Sequence, residues 1–117
     1  MKIIATAVSM AAAAAALLSM GVFAADQKKL QQGHEVFNKW CAPCHSAGPG
    51  NPGTTALETV YQGAKPGALE QRSDLTSEIV SYFVRNGVSI MPFFRKTEIS
   101  DAELEALAAY LSRNLPE

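Results

Sequence analysis

This chain is poor in the residues that build most small exported or catalytic sites. Its 117 residues include only two cysteines, two histidines and one tryptophan. Two thiols exclude the multi-bridge frameworks that hold many small secreted domains together. Neither sign of charge dominates: ten Lys and Arg face eleven Asp and Glu, for a net charge of -1. No basic stripe is present, so nucleic acid is not expected as a partner. No stretch alternates apolar and polar residues over the length of a strand, so a sheet is not expected either. There is no internal repeat, and only one long apolar run, Ile3 through Phe23, which is Ala-rich and uncharged.

That run follows Lys2 and ends in small residues at Ala24 and Ala25. The layout is that of a secretory signal peptide, with cleavage expected after Ala24 or, alternatively, after Ala25. Residues 1–24 are then a leader and residues 25–117 one domain, expected in the periplasm. The alternative is an uncleaved anchor, since the run is just long enough to span a bilayer. Its Ala content makes it weakly hydrophobic, however, and the small-residue site at its end favours removal. No other segment has the length to span a membrane, so none is expected after cleavage. A domain this small is marginal on burial alone. A large apolar cofactor would fill the core that such a chain cannot build for itself.

Both cysteines lie in Cys41-Ala42-Pro43-Cys44, and His45 follows directly. C-x-x-C-H is the pattern of covalent c-type haem attachment. Each thiol adds to one vinyl group, and the adjacent imidazole binds the iron from one face. One haem c would use both thiols, which in an oxidising compartment would otherwise tend to pair. The second ring nitrogen of His45 is expected to donate to a backbone carbonyl, that of Pro52 or of Pro49. The sixth ligand follows from counting. Met1, Met10 and Met20 leave with the leader, so Met91 is the one methionine of the domain. It stands before Pro92 on a stiffened backbone. His/Met ligation is the pairing that raises the potential in cytochromes c. The metal ligands are therefore expected to be His45 and Met91, and the cofactor-binding set Cys41, Cys44, His45 and Met91.

Other residues carry weaker signals. His34, beside Glu35, reads as a solvated surface histidine and only alternatively as a second imidazole ligand. Arg72 and Arg85 are candidate partners for haem carboxylates, because a guanidinium matches a carboxylate fork. Trp40 is expected either at the haem edge or in ordinary core packing. Trp40-Cys41-Ala42-Pro43-Cys44 also fits the W-C-x-P-C pattern of thioredoxin-like oxidoreductases. That fold places the motif after a buried strand, whereas residues 27–39 here are polar with helical spacing. A zinc site would lack a fourth ligand.

The spacing of apolar residues predicts a helix over 27–40, with Leu30, Val36, Phe37 and Trp40 on one face. Gly33 sits inside it at a cost of about 1 kcal/mol relative to Ala, which makes sense if another helix crosses there. Residues 46–53 alternate Gly and Pro and read as loop. A short helix is expected over 55–62, ended by Gly63, and a surface excursion over 64–71. Asp74-Leu75-Thr76 offers N-cap residues for a helix to about Asn86, ended by Gly87. Residues 88–96 read as extended loop. Ser100-x-x-Glu103 is a capping box, and Leu104, Leu107, Ala108 and Leu111 mark the last helix. The expected fold is all-α, three to four helices around one covalently bound haem.

Gly33-x-x-Val36-Phe37, Cys41-x-x-Cys44-His45, Arg85-x-Gly87, Met91-Pro92 and Leu107-x-x-Tyr110-Leu111 together resemble the class I c-type cytochromes, from about Gly33 to Asn114. The resemblance implies that the first and last helices cross, with Gly33 and Phe37 meeting Tyr110 and Leu111. It also implies a mostly buried haem with one exposed edge, and an electron carrier that is not itself an enzyme. A narrower resemblance lies in Val84-Arg85-Asn86-Gly87 and in the run from Met91 to Asp101. These are similar to the cytochrome subunits of bacterial flavocytochromes that oxidise para-substituted phenols, the 4-cresol and eugenol hydroxylase systems. That implies an FAD-containing dehydrogenase or hydroxylase subunit as electron donor and a downstream redox protein as acceptor. The alternative setting is a free shuttle between a dehydrogenase and a terminal oxidase. Phe93, Phe94 and Arg95 are expected to form a docking patch beside the ligand.

Overall fold

The computed structural model describes the backbone of residues 4–116 and the side chains of residues 20–116. Five α-helices and one 3-10 turn make up its regular structure, with no strand among the described residues. Helix α1 spans Ile4–Trp40, α2 Ala42–His45, α3 Pro52–Tyr61, α4 Ser77–Asn86 and α5 Asp101–Leu111. The expected count of three to four is exceeded because the turn around the second cysteine and the histidine is itself a single helical turn. Most side chains of the expected leader, residues 1–24, lie outside the described residues.

Helix α1 begins well before Gln27. Alanine has the highest helix propensity, and no Gly or Pro separates Ala24 from Gln27, so nothing stops the helix there. Residues 20–28 are exposed on every side, and burial begins only at Lys29 and Leu30. From there α1 packs chiefly against α5. A Cβ placed on Gly33 would collide with the carbonyl of Ala106 and lie 2.6 Å from Cβ of Tyr110. Only a glycine lets the two backbones come this close. Phe37, fully buried one turn on, meets the Tyr110 ring at 6.1 Å between centroids. The crossing implied by the resemblance is present, with Ala106 as its closest backbone partner. Lys29 and Glu105 pair at its rim.

The remaining helices are stopped by local chemistry. Thr76 Oγ1 accepts from the Ile79 amide at 3.3 Å to open α4. Gly87 closes that helix at φ +69°, ψ 176°, a conformation open essentially to glycine alone. In the capping box of α5 the Glu103 amide donates to Ser100 Oγ (3.2 Å) and the Ser100 amide to Glu103 Oε2 (2.8 Å). Val36, Phe37, Leu75, Val80, Val84, Ile99 and one face of α5 form a single core.

Residues 64–71 are a surface excursion only in part: 64–66 and Gln71 are exposed, but the middle turns inward. Gly67 lies against Glu58 and the Thr54 carbonyl of α3, Ala68 is buried, and Leu69 packs on the core. The absence of a side chain at Gly67 is what lets this segment fold onto α3. Two side chains near the C-terminus hold it down: Arg113 Nη2 donates to the Glu70 carbonyl (3.3 Å) and Asn114 Nδ2 to the carbonyls of Glu70 (3.0 Å) and Arg72 (3.3 Å).

Gly33→Ala would force the α1–α5 backbones apart. Overpacking of this kind costs about 1–3 kcal/mol. Urea unfolding should therefore show a lower midpoint with an unchanged slope.

Candidate functional site

Cys41 ends α1 and serves as the N-cap of α2. The amides of Cys44 (3.1 Å) and His45 (2.9 Å) both donate to its carbonyl. This single turn places residues 41 and 45 on one side, and both line an apolar cavity of about 300 Å³. That volume is at the lower end of the range of cofactor pockets, roughly 300–1,000 Å³. Helix α4 supplies Ile79, Val80, Phe83 and Val84 to the walls, α5 supplies Leu107 and Leu111, and Met91 comes in from the loop after α4. Cys41, His45 and Met91 thus meet at one cavity. Cys44 does not line it and is exposed on the outer side of the turn.

The His45 ring is held from behind. A Cβ on Gly53 would lie 2.6 Å from its Cε1 and 2.8 Å from its Nδ1. Burial lowers the His45 pKa from its usual 6.5, which favours the neutral imidazole, the form that can give a lone pair to a metal. Nδ1 is buried without a hydrogen-bond partner, so neither Pro52 nor Pro49 supplies the expected carbonyl. Pro52 is the first residue of α3, and a helical carbonyl is directed along its own axis. The loop between is fixed in other ways. Asn51 Nδ2 donates to the carbonyls of Ala47 (3.2 Å) and Gly48 (3.0 Å), and Thr54 Oγ1 to that of Ser46 (2.7 Å).

Met91 is half-buried on a tight turn. The Val88 amide donates to the Met91 carbonyl (3.1 Å) and the Met91 amide to that of Val88 (2.9 Å). Ser89 adopts φ +53° at the bend. A Cβ at Gly87 would lie 2.6 Å from the Met91 carbonyl oxygen, so this glycine both ends α4 and makes room for the methionine turn. Arg85 secures the far side by donating to the carbonyls of Phe94 (3.1 Å) and Ile99 (2.9 Å) and to Asp101 (2.9 Å). It is a tether for the loop and not a cavity residue, in contrast to the expectation that it meets a haem carboxylate. Trp40 likewise packs edge-on against Phe94 at 5.6 Å, away from the cavity. Phe94 is therefore a core residue, and Phe93, 58% exposed, is the aromatic left at the surface. Arg95 pairs with Glu98. His34 stays off the cavity, stacked near Tyr110 and bonded to Asn38.

Arg72 does line the cavity, together with Tyr61. Its Nε and Nη2 donate to the two carboxylate oxygens of Asp74 at 2.6 and 2.8 Å. Lys65 Nζ reaches Asp74 Oδ2 at 2.6 Å. The Arg72 and Lys65 hydrogen bonds hold the Asp74 carboxyl well below the usual carboxylate range. Reading the sequence missed Tyr61, Asp74 and Gly53; the short spacing of Arg72 to Asp74 is the one signal that was visible.

Burial, with Cys44 adding a smaller contribution, pushes the Cys41 thiol up to about 12. A thiol-exchange enzyme needs the opposite, a thiolate stabilised near neutral pH. One imidazole and one thioether are too few donors to hold an iron ion by themselves. They would suit a metal whose remaining ligands come with a macrocycle. The apolar walls, the imidazole and thioether, and a thiol on the wall fit such a group.

Residues 28–111 match the family model described as cytochrome C oxidase, cbb3-type, subunit III. Similar proteins include the cytochrome c6 of Thermosynechococcus vestitus, 35% identical over 104 residues, with 89% of this chain and 87% of that protein covered. The chloroplastic cytochrome c6 of Chlamydomonas reinhardtii is 33% identical over 105 residues. There 88% of this chain aligns with 66% of the algal protein, just under two thirds of its length. The cytochrome c6 of Pyropia yezoensis is 35% identical over 89 residues, covering 76% of this chain and 72% of that protein. No solved structure matches.

Asp74 has a depressed pKa in the folded state, so its stabilisation is present above the unfolded value, about 3.9, and is lost as pH falls through the folded one. Asp74→Asn should therefore be less stable than the parent at pH 7. The difference should shrink steadily below about pH 4, as read by thermal unfolding across that range.

Proposed function

The chain belongs to the class I c-type cytochromes, and on that premise we propose that Cys41 and Cys44 would attach its haem while His45 and Met91 would hold the iron. As a member of this family it carries one covalently bound haem c and acts as an electron carrier, not an enzyme. The observation that carries the residue assignment is the meeting of the Cys41–His45 turn and the distant Met91 at one apolar cavity. The bound group supplies one-electron Fe(III)/Fe(II) chemistry. The protein's part is positional. Gly53 and the α2 turn orient the imidazole, the Val88–Met91 turn presents the thioether, and α4 and α5 exclude water with apolar walls. A neutral thioether is soft and favours the reduced ion.

The chain works as a shuttle that exchanges single electrons with redox partners after export from the cytoplasm. The export reading is supported by the leader pattern and by residues 20–28, all of them exposed. No helix among the described residues is long and apolar enough to cross a membrane. Ile90, 95% exposed, and Phe93 flank Met91 and offer an apolar rim for docking. With a net charge near zero, long-range steering is weak and the fit of local surfaces decides the partner.

A second reading makes the electron donor the FAD subunit of a para-alkylphenol hydroxylase of the 4-cresol or eugenol type, with this chain as its cytochrome subunit. It rests on the run from Met91 to Asp101, in which Phe93 is the exposed aromatic. Under that reading Phe93→Ala weakens binding to such a flavoprotein in a titration, while Phe94→Ala chiefly lowers stability. No binding by the parent protein would remove the flavoprotein and leave the electron carrier standing.

Met91→Ala should abolish the weak thioether-to-iron absorption band at the red end of the ferric spectrum and leave the haem covalently attached by mass. Retention of the band would show that another group is the sixth ligand. Loss of attached haem mass in Cys41→Ala/Cys44→Ala, but not in Met91→Ala, separates attachment from ligation.

A further inference from the structure

Arg72 is the only buried charged side chain among the described residues, 5% exposed. Its place is restrained four times over. Asp74 takes two of its N–H groups in a fork. Its guanidinium lies over the Tyr61 ring, 4.7 Å from the centroid. Its backbone carbonyl accepts from Asn114 at 3.3 Å. The segment before it is packed on α3 through Gly67. Lys65 completes the group, bonded to Asp74 and lying over the same ring at 5.5 Å. Two cations share one carboxylate, so the cluster carries an excess positive charge, and Arg72 brings it to the cavity wall that also holds His45 and Met91.

A buried ion pair stabilises a fold little, and apolar side chains of similar size often do as well or better. A small domain that buries a guanidinium at the wall of an otherwise apolar cavity therefore gains something besides stability from it. Ferric iron carries one more positive charge than ferrous iron. A cation fixed at the wall raises the energy of the ferric state more than that of the ferrous state. In a cavity of low dielectric this interaction is far stronger than in water, and burial shields it from salt.

Building on the haem reading above, we propose that the Arg72–Asp74 pair sets the reduction potential of the iron centre. Arg72 is a fixed positive charge that favours the reduced state. Asp74 is a positioning residue that holds the guanidinium at the wall and offsets part of its charge. Lys65, 46% exposed at its side chain, contributes less because water screens it.

The test is a spectroelectrochemical titration of the haem-loaded protein. Arg72→Gln should shift the midpoint potential down, and Asp74→Asn should shift it up. Lys65→Met should shift it down by less than Arg72→Gln. Opposite signs for the first two are the signature of a charge effect. A merely structural pair would loosen the wall in both variants, admit water and move both potentials in the same direction; that result, or no movement in either, overturns the inference. Should Arg72→Gln fail to fold, Arg72→Lys takes its place. It keeps the charge, so its potential should stay near that of the parent while Asp74→Asn rises, and an equal fall in both would again overturn the inference. A parent protein that carries no haem mass would sink the haem reading itself, whereas haem-loaded variants with unmoved potentials would sink only the role of Arg72 and Asp74.

Discussion

Helices α1 and α5 touch backbone to backbone at Gly33, and the geometry of the cavity follows from that contact. The crossing sets the depth at which Phe37 and Leu107 are buried, and both are fully enclosed. It also fixes the end of α1, where Cys41 stands, relative to Leu107 and Leu111 on the cavity wall. A single methyl group at residue 33 would separate these surfaces. The glycine costs about 1 kcal/mol of helix propensity, and the tight packing of a small core offsets it.

Two arginines show how little local sequence says about the role of a charge. Arg85 and Arg72 both follow or precede segments that shape the cavity. Arg85 spends its donors on the carbonyls of Phe94 and Ile99 and on Asp101, and so ties the methionine loop to α4. Arg72 spends only part of its fork on Asp74 and faces inward. Backbone carbonyls that need donors claim the first, because buried polar groups must be paired. The second is held by the Asp74 carboxylate and the Tyr61 ring, which keep its charge at the wall.

The glycines and prolines of the two ligand segments divide the labour between stiffness and room. Pro52 starts α3 and Gly53 gives the His45 ring a flat surface to lean on. Gly87 ends α4 at a positive φ and admits the turn that carries Met91. His45 and Met91, the proposed ligands, are thereby placed largely by the backbone around them. A protein that only moves electrons needs that rigidity, because any rearrangement of ligands on oxidation slows the transfer. Before any attachment, the buried Cys41 thiol, pushed up to about 12, is also poorly suited to thiol exchange.

Much of this was legible in the amino-acid order alone. The C-x-x-C-H spacing, the solitary Met91 of residues 25–117, the capping box at Ser100 and the helical spacing of the last helix are local patterns, and local patterns survive without a fold. The all-α class followed from them, as did the reason for Gly33. What the chain order could not settle depends on which surfaces meet. Residues 64–71 look polar and Gly-Pro-broken, yet they are pinned inward by Gly67 and by Asn114, more than forty positions away. Trp40 and Phe94 pair with each other and not with the cavity, and Arg72 and Arg85 exchange the equal standing they had in sequence for different tasks. Each of these outcomes is a choice between partners distant in the chain, and only the packed tertiary structure decides which partner is within reach.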